Sequence, residues 1–346
     1  MADLAVFWYF VEKIPIHYCK GVCMKIAIVG ATGLVGESLC KIVSLKMPNA
    51  MLRLYGNTSV GTKVTYANRR YVILPIKEVL DDLPDVAMFM ANEQVAREYV
   101  PQLAERGVVC IDNSSYFRLC ENVPLVVPTI NGQKVRGHNV IANPNCTTIQ
   151  VAMALNCLTS LKPYKMTVVT YQAVSGAGRE GLEDYRQIRQ YGKLKAFAHP
   201  IVDNVLPLVG EITPNGYSSE EIKMQKECCK ILNIPIAINC FCVRVPVSVG
   251  HCAFVNVQFE KPFTLPQVKK LLQGGKDMLT FFEPYDNLLP MPLGIRNSKY
   301  VGVGRVFRDQ TSNGINMFVV ADNLLRGASY NAYEILQLMA QEKGWE

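Results

Sequence analysis

Glycines at positions 30, 33 and 36 sit between a short apolar run and a helical pattern, and they constrain this chain's fold more than any other feature. Residues 26–29, Ile-Ala-Ile-Val, have the continuous apolar character of a strand buried on both faces of a parallel sheet. Gly30-Ala31-Thr32-Gly33-Leu34-Val35-Gly36 follows, and residues 37–46 then read as a helix. Glycine at these steps permits a tight turn, lets backbone approach a pyrophosphate and allows close helix packing. The helix N-terminus beyond it offers unpaired N–H groups to a phosphate. An ordinary strand-to-helix turn is the other reading, and the flanking strand and helix favour a dinucleotide site.

The pattern continues with strands predicted at 52–55, 86–90 and 108–111 and a helix at 94–106. Such alternation predicts an α/β fold with a doubly wound, Rossmann-like dinucleotide-binding domain whose ligands meet the C-terminal strand ends. The second strand ends in Gly56-Asn57-Thr58-Ser59-Val60-Gly61, without the acidic residue that would bind the ribose hydroxyls of NAD. These small polar groups and Lys63 favour NADP, a polar surface turn being the alternative. The fourth strand runs into Asp112-Asn113-Ser114-Ser115-Tyr116-Phe117-Arg118. A guanidinium there suits a phosphate or carboxylate, or is simply a solvated surface group.

Asn143-Pro144-Asn145-Cys146-Thr147-Thr148 lies between an apolar strand end and a mostly apolar helical run. Pro144 biases Asn143 away from helical geometry, which places Cys146 at or beside a helix N-terminus. The helix dipole and free N–H groups there lower a thiol pKa and favour a thiolate nucleophile. The competing reading is a small buried apolar cysteine.

Beyond residue 150 the texture changes. Strands are predicted at 164–172, 239–245, 252–259, 301–307 and 315–321, with helices near 180–191, 219–232 and 327–341, which indicates an α+β domain. Glu220 and Lys223 share one helix face, either as functional groups or as an exposed ion pair of small effect. Arg244-Val245-Pro246-Val247-Ser248-Val249-Gly250-His251 sets a cation and an imidazole around a turn between two strands. A core histidine is one account of His251; a proton-transfer partner for Cys146 is the other.

The chain has 346 residues, enough for two domains, and its 49% hydrophobic and 19% charged content is that of a globular protein. Its net charge of +7 is dispersed rather than gathered into an arm, which favours small anionic ligands over nucleic acid. Twelve cysteines without a CxxC pair or a secretion signal suggest reduced thiols in a cytoplasmic protein. The apolar run 5–11 is broken by Glu12, Lys13 and Pro15, too short for a membrane span of about 20 residues. His17, Cys19 and Cys23 form too thin a cluster to predict a metal. Residues 1–23 read as an extension outside the fold, which starts at Met24.

Together these segments resemble the aspartate-semialdehyde dehydrogenase family, in its bacterial-type branch. The resemblance runs from about residue 24 to 342 and also rests on Tyr171-Gln172-Ala173-Val174-Ser175-Gly176 and Asp322-Asn323-Leu324-Leu325-Arg326-Gly327-Ala328. It implies a dinucleotide-binding domain at 24–149, completed by a C-terminal helix at 327–346, and a catalytic and dimerisation domain at 150–326. It implies Cys146 as nucleophile and His251 as general acid/base. Arg118 and Lys223 would bind phosphate, Arg244 the substrate carboxylate and Glu220 its ammonium, with Gln172 and Asn145 orienting substrate and carbonyl. Gly30, Thr32, Gly33, Leu34, Val35, Gly36, Thr58, Ser59, Ser175, Gly176 and Asn323 would meet the cofactor. Thr58 stands where the family commonly has an arginine for the 2′-phosphate, so NADP(H) is the expected cofactor with NAD also open. The implied reaction reduces L-4-aspartyl phosphate to the semialdehyde, releasing inorganic phosphate, in a homodimer or homotetramer. An N-acetyl-γ-glutamyl-phosphate reductase or a glyceraldehyde-phosphate-type dehydrogenase shares part of this logic. A non-catalytic dinucleotide-binding regulator is the reading from another class.

Overall fold

A computed structural model describes residues 24–186, 194–281 and 288–345. The leader 1–23 and the last part of the helix expected at 180–191 lie outside the described residues.

The first lobe contains β1 (Lys25–Val29), α1 (Leu34–Lys46), β2 (Met51–Gly56), β3 (Lys63–Tyr66), β4 (Arg69–Pro75), β5 (Val86–Phe89), α2 (Glu93–Ala104), β6 (Val109–Asp112) and β7 (Val140–Ala142). Its sheet has the order β3-β4-β2-β1-β5-β6-β7, parallel except for the edge pair β3/β4. Strand order reverses between β1 and β5, which puts the ligand crevice at the turn after β1. Gly30 takes φ +80°, and a Cβ on it would lie 2.4 Å from the Met90 carbonyl oxygen just past β5. A Cβ on Gly36 would lie 2.1 Å from the Gly30 oxygen, so α1 packs against the turn only because that position is glycine. Helix α1 starts at Leu34, earlier than the expected residue 37, because extended Gly33 is its N-cap. The β3–β4 hairpin was not expected; Tyr66 and Ile73 anchor it in the core beneath the sheet.

The second lobe contains α3 (Cys146–Asn156), β8 (Pro163–Ala173), α4 (Gly178–Arg186), α5 (Ser219–Leu232), β9 (Ala237–Val245), β10 (His251–Phe259), α6 (Leu265–Gln273), β11 (Met278–Phe281), β12 (Val301–Arg308) and β13 (Gly314–Ala321). These strands form a mixed sheet, β11-β12-β13-β10-β8-β9. Helix α3 is buried from Thr147 to Leu155: Ile149, Val151, Met153 and Leu155 pack with Met224, Cys228 and Ile231 of α5 and with Met166, Val168 and Val255 of the sheet. Helix α6 was also not foreseen, although a reciprocal cap between Thr264 and Gln267 opens it. On the sheet's other face, Phe241, Val169, Phe254 and Phe318 lie in register across β9, β8, β10 and β13. Phe241 there is 50% exposed.

The chain closes on the first lobe. A π-helical turn, Leu325–Ser329, precedes α7 (Tyr330–Lys343), and Ala332, Ile335, Leu336 and Met339 pack into the core that holds Leu39 and Val43 of α1. That wide turn brings Gly327 against Cys146, where a Cβ would come within 2.9 Å of the cysteine Cβ. Among the described residues no helix is long and apolar enough to cross a membrane.

Candidate active site

Cys146 is the first residue of α3, as its sequence context implied. Asn145 is the N-cap: its Oδ1 accepts from the N–H groups of Thr147 at 2.9 Å and Thr148 at 3.3 Å. The same side chain donates through Nδ2 to Glu220 Oε1 at 2.8 Å, and Gln172 Nε2 donates to that oxygen at 3.3 Å. Asn145, Gln172 and Glu220 therefore form one polar layer behind the cysteine.

The thiol does not have the lowered pKa expected of a helix N-terminus. Cys146 keeps some exposure as a residue, yet burial of its thiol and the nearby Glu220 carboxylate push it up to about 11. The cations of Arg118 and Arg244 pull the other way without prevailing. Desolvation and a neighbouring carboxylate outweigh the dipole here.

His251 opens β10 and is fully buried. Its Nδ1 accepts the Ala173 N–H at 2.9 Å, and its Nε2 has no hydrogen-bond partner. A ring whose Nδ1 is an acceptor carries its proton on Nε2. Burial, and then the charge of Arg244, hold its pKa well below the usual histidine value, so the ring is neutral. In this state His251 offers a donor rather than a vacant base.

Arg244 is also buried and donates to the Ala173 carbonyl at 2.8 Å, so one residue of β8 fixes both the guanidinium and the imidazole. A Cβ on Gly176 would come within 2.7 Å of Arg244 Nη1 and 3.1 Å of the His251 ring, so glycine is needed for this close approach.

Arg118 is no surface arginine. It is 7% exposed, donates to Glu227 Oε1 at 3.1 Å and to the Asn113 carbonyl at 2.8 Å, and leaves Nε unpartnered. Glu227, fully buried, was missed from sequence. It lies two turns beyond Glu220 on α5 and also accepts the Asn145 N–H at 2.7 Å. That seven-residue spacing from Glu220 was the available signal. Lys223 stays half-exposed, 3.8 Å from Glu220.

At the first lobe's crevice, Thr32 Oγ1 and Ser59 Oγ are 3.0 Å apart. Arg179, another residue not anticipated, donates to the Thr32 carbonyl at 2.8 Å and pairs with Glu37. Thr58 is exposed beside this pair. Ser175 and Asn323 hydrogen-bond each other, and Asn323 accepts the Gly250 N–H at 2.9 Å, tying the second lobe's turns together beside His251. A Cβ on Gly33 would come no nearer than 3.4 Å to its neighbours, so this turn keeps room above it while Gly30 and Gly36 hold it close to the sheet. The cradle fits a dinucleotide pyrophosphate. Among the described residues no cluster of His, Cys, Asp or Glu is arranged to hold a metal ion.

A switch-point crevice lined by glycines, with a second lobe on a mixed sheet, defines the class: a dinucleotide-dependent oxidoreductase. Residues 25–138 match the semialdehyde dehydrogenase NAD binding domain, and residues 155–326 match the semialdehyde dehydrogenase dimerisation domain. The chain is 36% identical over 334 residues to the aspartate-semialdehyde dehydrogenase of Aquifex aeolicus, covering 92% of this chain and 98% of that protein. It is 34% identical over 337 residues to the Bacillus subtilis enzyme of the same name, covering 91% and 96%. A crystal structure of aspartate semialdehyde dehydrogenase II from Vibrio cholerae complexed with ASA superimposes with a TM-score of 0.88 at 33% identity, covering 93% of this chain and 99% of that one. The chain belongs to the aspartate-semialdehyde dehydrogenase family.

Proposed function

We propose that the chain catalyses the NADPH-dependent reductive dephosphorylation of L-4-aspartyl phosphate to L-aspartate 4-semialdehyde through a Cys146 thioester. The step serves the biosynthesis of lysine by way of diaminopimelate, of threonine and of methionine. The observation that carries the reading is the charge pattern around Cys146, which senses two separately anchored guanidiniums, Arg118 and Arg244, and one carboxylate, Glu220. Aspartyl phosphate has the complementary set: a phosphate, a carboxylate and an ammonium group.

In this reading Arg244 holds the carboxylate, Glu220 the ammonium, and Arg118 with Lys223 the phosphate. Binding of the ammonium at Glu220 offsets the charge that helps keep the thiol protonated, so the substrate itself favours the thiolate. Cys146 Sγ then bonds to the acyl carbon and the carbon–oxygen bond to phosphate breaks. Overall, the thiol proton leaves with the phosphate as hydrogen phosphate. The carbonyl oxygen turns anionic during this attack, and the Nε2–H of His251 is the donor suited to it. Asn145 and Gln172 keep Glu220 and the substrate in register. When bound, the reduced nicotinamide supplies the hydride that converts the acyl carbon to the aldehyde level. Cys146 departs as thiolate in the collapse that follows and takes its proton back from water.

Gly30, Thr32, Gly33, Leu34, Val35 and Gly36 would hold the pyrophosphate. Ser175, Gly176 and Asn323 would line the nicotinamide end. Thr58, Ser59, Thr32 and Arg179 form the polar edge that would meet the adenine ribose, an arrangement that supports NADP(H) as the preferred cofactor with NAD also used. We read the chain as a nucleotide lobe, 24–149 with 327–346, and a catalytic and dimerisation lobe, 150–326, in a cytoplasmic homodimer. The apolar row on the open face of the second sheet, running from Phe241 on edge strand β9 through Val169 to Phe254, supports pairing of two copies there. Substitution Cys146→Ala tests the mechanism: turnover should be lost while cofactor binding persists, and near-normal turnover by a folded Cys146→Ala protein would sink it.

A further inference from the structure

One face of α5 carries Glu220, Lys223, Glu227 and Lys230, at positions 1, 4, 8 and 11 of a repeating helical stripe counted from Glu220. The first two are expected substrate ligands. The other two touch protein instead, and they touch the parts of the site that must not move. Glu227 uses both carboxylate oxygens: Oε1 accepts Arg118 Nη1 at 3.1 Å, and Oε2 accepts the Asn145 N–H at 2.7 Å. Lys230 Nζ donates to three carbonyls of the segment that carries Arg118, those of Arg118 at 2.9 Å, Cys120 at 2.7 Å and Val123 at 2.7 Å. Arg118 is thereby held at its guanidinium and at its own backbone by one helix, with Nε left unpartnered.

A buried carboxylate beside an expected anion site carries a cost, since it opposes the very charge that site must attract. Its position makes sense as geometry. It sets a fixed separation between the guanidinium and the backbone that begins the Cys146 helix, and near-attack alignment depends on such separations. We propose that Glu227 is a positioning residue of the reaction, holding Arg118 and the Asn145–Cys146 turn at the spacing an acyl phosphate requires, with Lys230 as its support. The proposal rests on the reading of Arg118 as a phosphate ligand.

Substitution Glu227→Gln tests it. An amide supplies a donor where the carboxylate accepted, so one of the two bonds, to Arg118 or to Asn145, must break. In the direction that consumes aspartate semialdehyde, the KM for inorganic phosphate should rise about tenfold while the semialdehyde and NADP KM values stay within about twofold. Lys230→Met, which leaves the ion pair in place, should raise the phosphate KM about threefold and serves if Glu227→Gln does not fold. A second readout is independent of turnover: inorganic phosphate should protect Cys146 from iodoacetamide, and the Glu227→Gln protein should need about ten times more phosphate for equal protection. A phosphate KM and protection constant that are unchanged or lower in both variants would overturn the proposal, since Glu227 would then only oppose the anion or support the fold. Absence of any phosphate-dependent turnover in the unaltered protein would count against the acyl-phosphate reading itself. The protection experiment would still decide whether Glu227 positions Arg118.

Discussion

The backbone N–H of Ala173 donates to Nδ1 of His251 at 2.9 Å, and this one contact fixes the tautomer of the imidazole beside Arg244. With Nδ1 occupied as an acceptor, the proton resides on Nε2, which is buried and unpartnered. The expected outcome in nitrogen NMR is a pyridine-like Nδ1 and a pyrrole-like Nε2 from pH 6 to 8, with no imidazolium. His251→Ala should lower kcat by about 10²–10³-fold, the effect of losing one oxyanion donor. A protonated Nδ1 in the free enzyme would contradict the assignment of His251 as a donor.

The same burial makes a stability prediction. The folded pKa of His251 lies well below the unfolded value, through desolvation and then Arg244. Below about pH 6.5 the unfolded chain therefore binds a proton that the folded chain refuses, and stability falls as pH falls. The slope for this group alone is about 1.4 kcal/mol per pH unit. A His251→Asn protein should show a correspondingly shallower loss of melting temperature between pH 6.5 and 5. Equal slopes for the two proteins would show that the imidazole charges without unfolding.

Glu220 raises the thiol pKa of Cys146 and, in the proposed reaction, binds the substrate ammonium. Removing its charge should have effects of opposite sign on the two properties. Glu220→Gln should speed iodoacetamide alkylation of Cys146 at pH 8 by several-fold, up to about tenfold if the pKa drops one unit. Turnover of the semialdehyde should fall by at least about 10²-fold. Slower alkylation, or unaffected turnover, would break the link between Glu220 and Cys146.

The sequence made the architecture legible where period and punctuation agree. The run 26–29 with its glycines predicts β1, the turn and the start of a helix, and Pro144 with the apolar run after Cys146 predicts α3. The β3–β4 hairpin was hidden because the alternation of β3 lasts only four residues and β4, two arginines followed by an apolar run, does not alternate. Helix α6 was hidden because it is only nine residues long, although Val268 and Leu272 share one buried face. The site was legible as residue types but not as electrostatics. A helix N-terminus predicts a lowered thiol pKa, and only the fold buries the thiol and brings Glu220 to it from a distant helix, which together reverse the sign. Glu227 escaped notice because a glutamate within a helix reads as solvated until a second buried charge, Arg118, is seen beside it.

The open face of the second sheet predicts the assembly. Phe241, 50% exposed in one chain, sits in a row with Val169 and Phe254. Phe241→Glu places a charge in that row, and burying it unpaired would cost several kcal/mol. Sedimentation should show the unaltered protein as a dimer or larger assembly, and the Phe241→Glu protein shifted towards monomer with its circular dichroism retained. An unaltered protein that sediments as a monomer at micromolar concentration would remove this face as an interface.

The most direct test of the account is reduction of NADP by the purified protein supplied with L-aspartate semialdehyde, with and without inorganic phosphate, and in parallel with NAD. Turnover that requires phosphate, proceeds faster with NADP than with NAD and disappears in Cys146→Ala is the predicted result. Phosphate-independent turnover, or none with either cofactor in a protein that still binds one, would contradict an acyl-phosphate reaction at Cys146.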